Sequence, residues 1–134
     1  MATTLFRGPI LQGKKDTSGY NIETKSSNYT VVINNGDSGK TFLSNTKDVV
    51  FTLPAIAIGN VYTFVNTAAD GVNNLTVSPN SSDGILYLGS LTDDKDCINT
   101  QSTSKVGDFI KIASLNSTAH WTVVAAQGVW AKEA

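Results

Sequence analysis

The chain has 134 residues, a net charge of −1 and 16% charged residues. This length suits a single domain, and the sparse, balanced charge argues against a nucleic-acid binder, which normally carries a basic patch. The single cysteine, Cys97, excludes a disulfide framework and is expected to be a small half-buried hydrophobe or an idle thiol. The start of the chain lacks the features of a secretory signal, and no apolar run reaches the roughly 18 residues of a membrane span. We therefore expect a soluble protein that is made in a cytosol.

Residues 1–28 differ from the rest of the chain. Their first half contains Leu5, Phe6, Ile10 and Leu11 among glycine and proline, without helical or strand periodicity. A segment with so few apolar residues does not pack by itself. It is therefore predicted to be an extended N-terminal arm, which is either a frayed terminus, a first strand on the sheet, or a segment that docks on a neighbouring subunit or larger assembly. Residues 29–134 are predicted to form a β-domain.

From residue 29 onward, short apolar–polar alternations are separated by turns rich in glycine, asparagine and aspartate. Strands are predicted at residues 29–34, 41–43, 49–53, 61–66, 75–78, 85–88, 109–113 and 121–126, with residues 129–130 following a bend at Gly128. In the clearest strand, Val61, Thr63 and Val65 lie on one face and Tyr62 and Phe64 on the other.

The spacing of these strands predicts the fold class. Residues 89–107 are the least regular region, and the chain shows no fixed-period repeat and no long amphipathic helix. Short strands at intervals of about 8–12 residues predict an all-β fold, a small antiparallel β-sandwich or barrel of the jelly-roll or tulip-like type.

Two short motifs resemble catalytic or phosphate-binding sequences. Residues 36–39 spell GDSG, the string around the nucleophile of trypsin-like serine proteases. Ser38 would need a histidine base and an orienting acid, but the only histidine, His120, follows the serine, whereas in those proteases it precedes it. Residues 39–41, GKT, resemble the end of a P-loop, but Asn34 replaces the first required glycine and a strand follows where a helix is needed. Neither motif predicts catalysis, and no enzymatic activity or cofactor is expected.

Three carboxylates lie close together in the irregular region. Asp93, Asp94 and Asp96 offer oxygens of the kind that bind Ca²⁺. The spacing, central glycine and terminal glutamate of an EF-hand are absent, so a solvated acidic loop is the simpler interpretation. A single histidine and a single cysteine leave no zinc site, and no metal is expected.

The stretch from residue 29 to 66, YTVVINNGDSGKTFLSNTKDVVFTLPAIAIGNVYTFVN, resembles a pattern of small virion proteins of tailed bacteriophages. In that pattern a strand leads to a DSGKTF turn, then to a strand ending in TLPA, then to a glycine and the strand YTFV. The later pieces KVGDFIKI (105–112) and WTVVAAQGVW (121–130) fit it as well. These are turn and strand signatures without catalytic residues. The same β-module occurs in capsid decoration (cement) proteins, in head fibres and in parts of tail fibres.

The resemblance implies a capsid decoration protein. Such a protein assembles as a homotrimer, binds the major capsid protein on the outer surface of the phage head, and stabilises the head. It is made in the host cytoplasm and is located in the virion; no nucleic acid or membrane partner is expected. A trimer would also cover the edges of a small sheet. We expect capsid contact from the arm, through the apolar anchors Leu5, Phe6, Ile10 and Leu11 and the charged Arg7.

An alternative function is a receptor- or glycan-binding module of a phage head or tail fibre. This function predicts an exposed aromatic platform, for example Tyr87, Trp121 or Trp130, on which sugars stack. A decoration protein would place the same aromatic side chains in the core or in the trimer interface. The exposure of these three side chains therefore discriminates between the two functions.

Overall fold

The computed structural model describes residues 21–33, 37–116 and 119–134. Within these ranges the chain is almost entirely β-structure, with a short 3₁₀ helix at Gln101–Thr103. The strands are β1 (Asn21–Thr24), β2 (Tyr29–Thr30), β3 (Lys40–Ser44), β4 (Val49–Thr52), β5 (Val61–Asn66), β6 (Leu75–Ser78), β7 (Gly84–Leu86), β8 (Cys97–Asn99), β9 (Phe109–Ala113), β10 (His120–Gln127) and β11 (Trp130–Lys132). The prediction of an all-β fold is confirmed.

The strands form two sheets that share one core. The first sheet has the strand order β1-β3-β5-β9-β10-β7, and the second has the order β11-β8-β6-β4-β2. Aromatic rings of the two sheets meet between them, because the ring of Phe51 in the second sheet lies 5.5 Å from that of Phe42 and 5.0 Å from that of Phe64 in the first. At the other side of this cluster, the rings of Tyr62 and Trp121 are 5.6 Å apart. The core is therefore built by both sheets together.

The first six strands wind around the core in successive coils. Odd-numbered strands enter the first sheet and even-numbered strands the second, and neighbours within each sheet run parallel. Register partners in adjacent coils lie 19 residues apart for Asn21 and Lys40, but 26 apart for Val49 and Leu75. Because the coil length varies, this structural repetition leaves no fixed period in the sequence.

The predicted antiparallel arrangement is wrong for much of the fold. In the described part of the chain five strand pairs are parallel and four are antiparallel. An alternation of apolar and polar residues fixes which side chains point inward, but it is the same for a strand running in either direction. Strand direction here follows from connections that cross to the other sheet instead of turning back as hairpins.

The predicted faces of the clearest strand are confirmed. In β5 the side chains of Tyr62 and Phe64 are fully buried, whereas Val61, Thr63 and Val65 are only partly so. Strands β3, β4, β6 and β9 also lie where the sequence predicts them. Strand β8 was not predicted and lies in the region that looked least regular. The short strand β1 corresponds to the first strand on the sheet that was one of the alternatives for residues 1–28.

In the described residues no helix is long and apolar enough to cross a membrane.

Candidate contact surface

The DSGK turn at residues 37–40 contains a network of hydrogen bonds and ion pairs around Asp37 and Lys40. The carboxylate of Asp37 is fully buried. It accepts hydrogen bonds from the Tyr29 hydroxyl (2.8 Å), the Val32 amide (3.0 Å) and the Lys40 ammonium (2.8 Å). The same ammonium lies 2.8 Å from the Glu23 carboxylate of β1. The turn residues therefore tie β1 to β3.

The electrostatics of this network favour a stable ion pair. Burial raises the pKa of Asp37, but the hydrogen bonds from Lys40, Val32 and Tyr29 outweigh it and the pKa is lowered. Burial lowers the pKa of Lys40, but the contacts with Asp37 and Glu23 outweigh it and the pKa is raised. Burial, with Asp37 beside it, raises the pKa of Tyr29 to about 12. The neighbouring Ser38 is exposed, and its hydroxyl accepts a 3.4 Å bond from the Val61 amide. The geometry gives these groups a structural role.

A second polar network lies within the core and involves the GDFIKI motif. The buried Asp108 carboxylate accepts hydrogen bonds from the Asn99 side chain and from the Lys105 amide, both 2.9 Å. Asn66 donates to the side-chain oxygen of Asn99 at 2.8 Å and accepts from Asn73 at 3.3 Å. Buried amides and carboxylates that satisfy one another in this way specify a single arrangement of the loops that carry them.

Gly128 of the AAQG motif gives Asp108 its space. A Cβ atom at Gly128 would lie only 2.2 Å from the carboxyl carbon of Asp108, and the backbone φ of 90° already favours glycine. The motifs of residues 105–112 and 121–130 therefore meet at this contact, which is structural in nature.

The aromatic side chains named for a glycan platform lie in or against the core. Trp121 and Trp130 are buried, and Tyr87 is half-buried against the core cluster. The indole N–H of Trp130 donates to the Gln127 carbonyl at 3.0 Å. In the single chain these three rings are not displayed as an exposed stacking surface.

The acidic loop does not gather its carboxylates into a metal site. Among the described residues no group of three or more histidine, cysteine, aspartate or glutamate side chains is arranged to hold a metal ion. Burial raises the pKa of Asp96, and Asp93 forms an isolated backbone bridge to Gly84. Cys97 is fully buried, more deeply than the half-buried position expected for it, and burial raises the pKa of its thiol to about 11.

A two-residue hairpin after β7 displays a leucine at its apex. Tyr87 and Ser90 exchange two backbone hydrogen bonds, of 3.1 and 2.9 Å. Leu88 and Gly89 between them have φ angles of 50° and 76°, the backbone signs of a type I′ turn, in which asparagine, aspartate and glycine are favoured. The Leu88 side chain is nevertheless 86% exposed.

Both the backbone conformation and the exposure of Leu88 are therefore unfavourable for the stability of the folded chain. A non-glycine residue in the left-handed region costs roughly 1–2 kcal/mol, and a large apolar side chain gains nothing from solvent exposure. Leu91 is also exposed on the same loop. We call Leu88 and Leu91 the leucine tip. The strand predicted over residues 85–88 runs into this hairpin, which was therefore missed.

A second exposed apolar region runs from the second half of β10, in the first sheet, into β11 of the second sheet. We call residues 124–131, from β10 into β11, the β10–β11 strip. All of its residues are exposed except the buried Trp130, and none carries a charge. The exposed valines of the strip are Val124 and Val129.

The capsid-binding residues named from the sequence lie outside the described residues. They are Leu5, Phe6, Arg7, Ile10 and Leu11. The division into an arm, 1–28, and a β-domain, 29–134, stays a prediction, although residues 21–24 of that arm form β1 at the edge of the first sheet.

No protein-family model matches the chain. A search of curated proteins found no match either.

Proposed function

We propose that this protein is a structural virion protein of the capsid decoration type. In this proposal it binds the outer surface of a tailed-phage head as a homotrimer, and it stabilises the head. Its two sheets pack against one common core as a β-sandwich located on the virion surface; the antiparallel jelly-roll type does not fit it, because five of the nine strand pairs in the described residues are parallel. The exposed Leu88 side chain, in a chain whose polar networks at Asp37 and Asp108 are satisfied internally, supports a binding role.

The observation that carries the proposal is the leucine tip. Backbone strain in a surface loop persists where selection for a contact outweighs its cost. A protruding leucine is suited to insertion into an apolar pocket of a partner, where it can act as an anchor. We therefore assign to Leu88 a contact with the major capsid protein, in addition to the contact expected from the arm.

The polar residues of the family-like motifs support the same proposal. Asp37 and Lys40 of the DSGK turn, and Asp108 and Gly128 of the later motifs, are engaged in contacts that hold the chain together. Their role is to maintain a rigid module, which is what a surface protein of a virion requires. The buried Trp121 and Trp130 favour this function over glycan recognition by an aromatic platform.

The Leu88→Asn variant separates contact from stability. Asparagine tolerates the positive φ of this position, so the variant should be as stable as the wild type or up to about 1 kcal/mol more stable. It should bind heads at least tenfold more weakly. Leu115→Asn, at a leucine that is 52% exposed elsewhere, is the matched control and should bind normally.

The assay is co-sedimentation of the purified chain with heads that lack it, followed by heating of the heads. Failure of the wild-type chain to bind or stabilise heads would refute the decoration function. Normal binding by Leu88→Asn would show that the leucine tip is not a capsid contact. Deletion of residues 1–15 tests the arm in the same assay, with equal binding counting against its role.

A further inference from the structure

We propose that the partner surface that receives the leucine tip is an apolar pocket bordered by lysine or arginine side chains, which pair with Asp93 and Asp94. This partner chemistry rests on the proposed function, in which the leucine tip contacts the major capsid protein. It adds the charge that the partner carries at that contact.

The leucine tip belongs to a hairpin whose base carries the two carboxylates. We call residues 84–94 the tip hairpin. Below the turn at its apex, an isolated backbone bridge joins Gly84 to Asp93, and the Asp94 amide donates a hydrogen bond of 2.9 Å to the Asp83 carbonyl. These bonds hold the apex and the base of the hairpin in a fixed relation, so that docking requires little ordering of the loop.

An apolar and a charged side chain of the tip hairpin lie next to each other. A Cβ atom placed on Gly84 would lie 2.7 Å from Leu91 Cδ1 and 3.5 Å from Asp93 Oδ1. The leucine methyl group and the carboxylate oxygen are therefore neighbours on the same side of the hairpin, and both residues are exposed. A partner surface that covers Leu91 also reaches the Asp93 carboxylate.

The charges of Asp93 and Asp94 are not compensated within the described part of the chain. They are the only charged side chains of residues 84–94, and neither forms an ion pair with another described residue. At the base of the hairpin, the ammonium groups of Lys95 and Lys132 instead donate hydrogen bonds of 2.8 to 2.9 Å to backbone carbonyl oxygens. Two negative charges are therefore available to a partner.

Docking of the leucine tip removes water from the Asp93 carboxylate. A carboxylate that loses its hydration without gaining a partner group costs much free energy, whereas a lysine or arginine opposite it offsets that cost. A wholly apolar pocket would leave this charge unpaired, and an acidic border would repel it. An apolar centre with a basic border is the surface that fits both Leu91 and Asp93.

Co-sedimentation with heads that lack the chain, at two salt concentrations, tests this charge requirement. Binding of the wild-type chain should weaken at least tenfold between about 50 mM and about 500 mM NaCl, because salt screens the pairs between carboxylate and cation. At the lower concentration Asp93→Asn should bind about tenfold more weakly than the wild type. The double variant Asp93→Asn/Asp94→Asn should also lose most of the salt dependence.

The matched control is Asp48→Asn, which makes the same chemical change at an exposed carboxylate between β3 and β4. The asparagine oxygen can still accept the hydrogen bond that Asn74 donates to Asp48, and the variant should bind as the wild type does. Thermal unfolding of each variant shows that the fold is kept. Light scattering after size exclusion tests whether the 14.2 kDa chain forms a trimer and whether the variants keep the same oligomeric state.

Weaker binding by the Asp93 and Asp94 variants, with normal binding by Asp48→Asn, supports the basic border. Binding that does not respond to salt, or that Asp93→Asn/Asp94→Asn leaves unchanged, overturns it, as does an equal loss from Asp48→Asn. In those cases the wild-type chain still binds heads, so the decoration function stands. A wild-type chain that does not bind heads refutes the decoration function and the basic border with it.

Discussion

At the level of single residues, packing explains why Asp108 and Gly128 stand where they do in the stretches 105–112 and 121–130. Asp108 is a buried carboxylate that needs both hydrogen-bond donors and space, and Gly128 supplies the space because it has no side chain. The polar pattern of the sequence predicted turns at such positions, but it gave no sign that these two residues touch.

Gly128→Ala should destabilise the protein strongly. The new Cβ would displace an Asp108 carboxylate that is held by Asn99 and Lys105. Gly107→Ala is the matched control, since Gly107 has the same φ of 90° but open space around it. The control should lose roughly 1–2 kcal/mol of the free energy of unfolding through backbone strain, and Gly128→Ala about 2 kcal/mol more through the lost hydrogen bonds. Equal losses in urea unfolding would contradict the role given to Asp108.

Tyr62→Phe should leave the protein equally stable or make it more stable. The Tyr62 hydroxyl is buried and finds no hydrogen-bond partner in the described part of the chain, and burial raises its pKa to about 12. A buried polar group without a partner costs about 1–3 kcal/mol, and phenylalanine removes it while keeping the ring against Trp121. A clear loss of stability in thermal unfolding would mean that the hydroxyl makes a favourable contact.

At the scale of elements, the Asp37 network compensates for the weakness of the first strands. Strands β1 and β2 have four and two residues, and isolated short strands are marginally stable. Side-chain bonds from Tyr29 and Lys40 to Asp37, and from Lys40 to Glu23, connect them to β3. Stability at this edge should therefore depend on charge.

Asp37→Asn should lower the free energy of unfolding by roughly 2–4 kcal/mol at pH 7, because it breaks a largely buried ion pair. The folded-state pKa of Asp37 lies below its ordinary value of 3.8. The ionised carboxylate therefore contributes its full stabilisation of the folded state above about pH 3.8. This stabilisation is lost as the pH falls through the lowered pKa of the folded state. The difference between wild type and variant in urea unfolding should shrink below about pH 4.

Asp96→Asn is the control for this pH dependence. Burial raises the pKa of Asp96, so its charged form opposes folding at pH 7, and protonation as the pH falls should favour folding. The variant should therefore not lower stability at neutral pH. A difference for Asp37→Asn that stays constant down to pH 2.5 would contradict the ion-pair interpretation.

At the scale of the whole molecule, the two sheets depend on a common core. Trp121 lies in β10 of the first sheet and Trp130 in β11 of the second, and both belong to one buried cluster. Because neither sheet has an apolar core of its own, the two should unfold together.

Two single-tryptophan variants test this cooperativity. Trp121→Phe leaves Trp130 as the reporter of the second sheet, and Trp130→Phe leaves Trp121 as the reporter of the first. In each variant the denaturation midpoint from tryptophan emission should coincide with the midpoint from circular dichroism. Separate midpoints within one variant would show that the sheets unfold independently.

The β-class, the position of most strands and the inward side of β5 followed from the order of the amino acids alone. These properties are local, since alternation and turn residues act over a few neighbouring positions. The predictions of a capsid-binding arm and of a trimer depend on a resemblance and are tested by the experiments above.

The folded chain alone shows which strands run parallel, how β1 to β6 wind around the core, and that Asp108 meets Gly128. It also revealed the exposed leucine of the tip and the open edge of β10. These features arise from contacts between residues far apart in the chain, and the local pattern of apolar and polar residues is the same whichever partner a strand finds. The physical reason is that pairing direction and exposure depend on the surroundings that the complete fold creates.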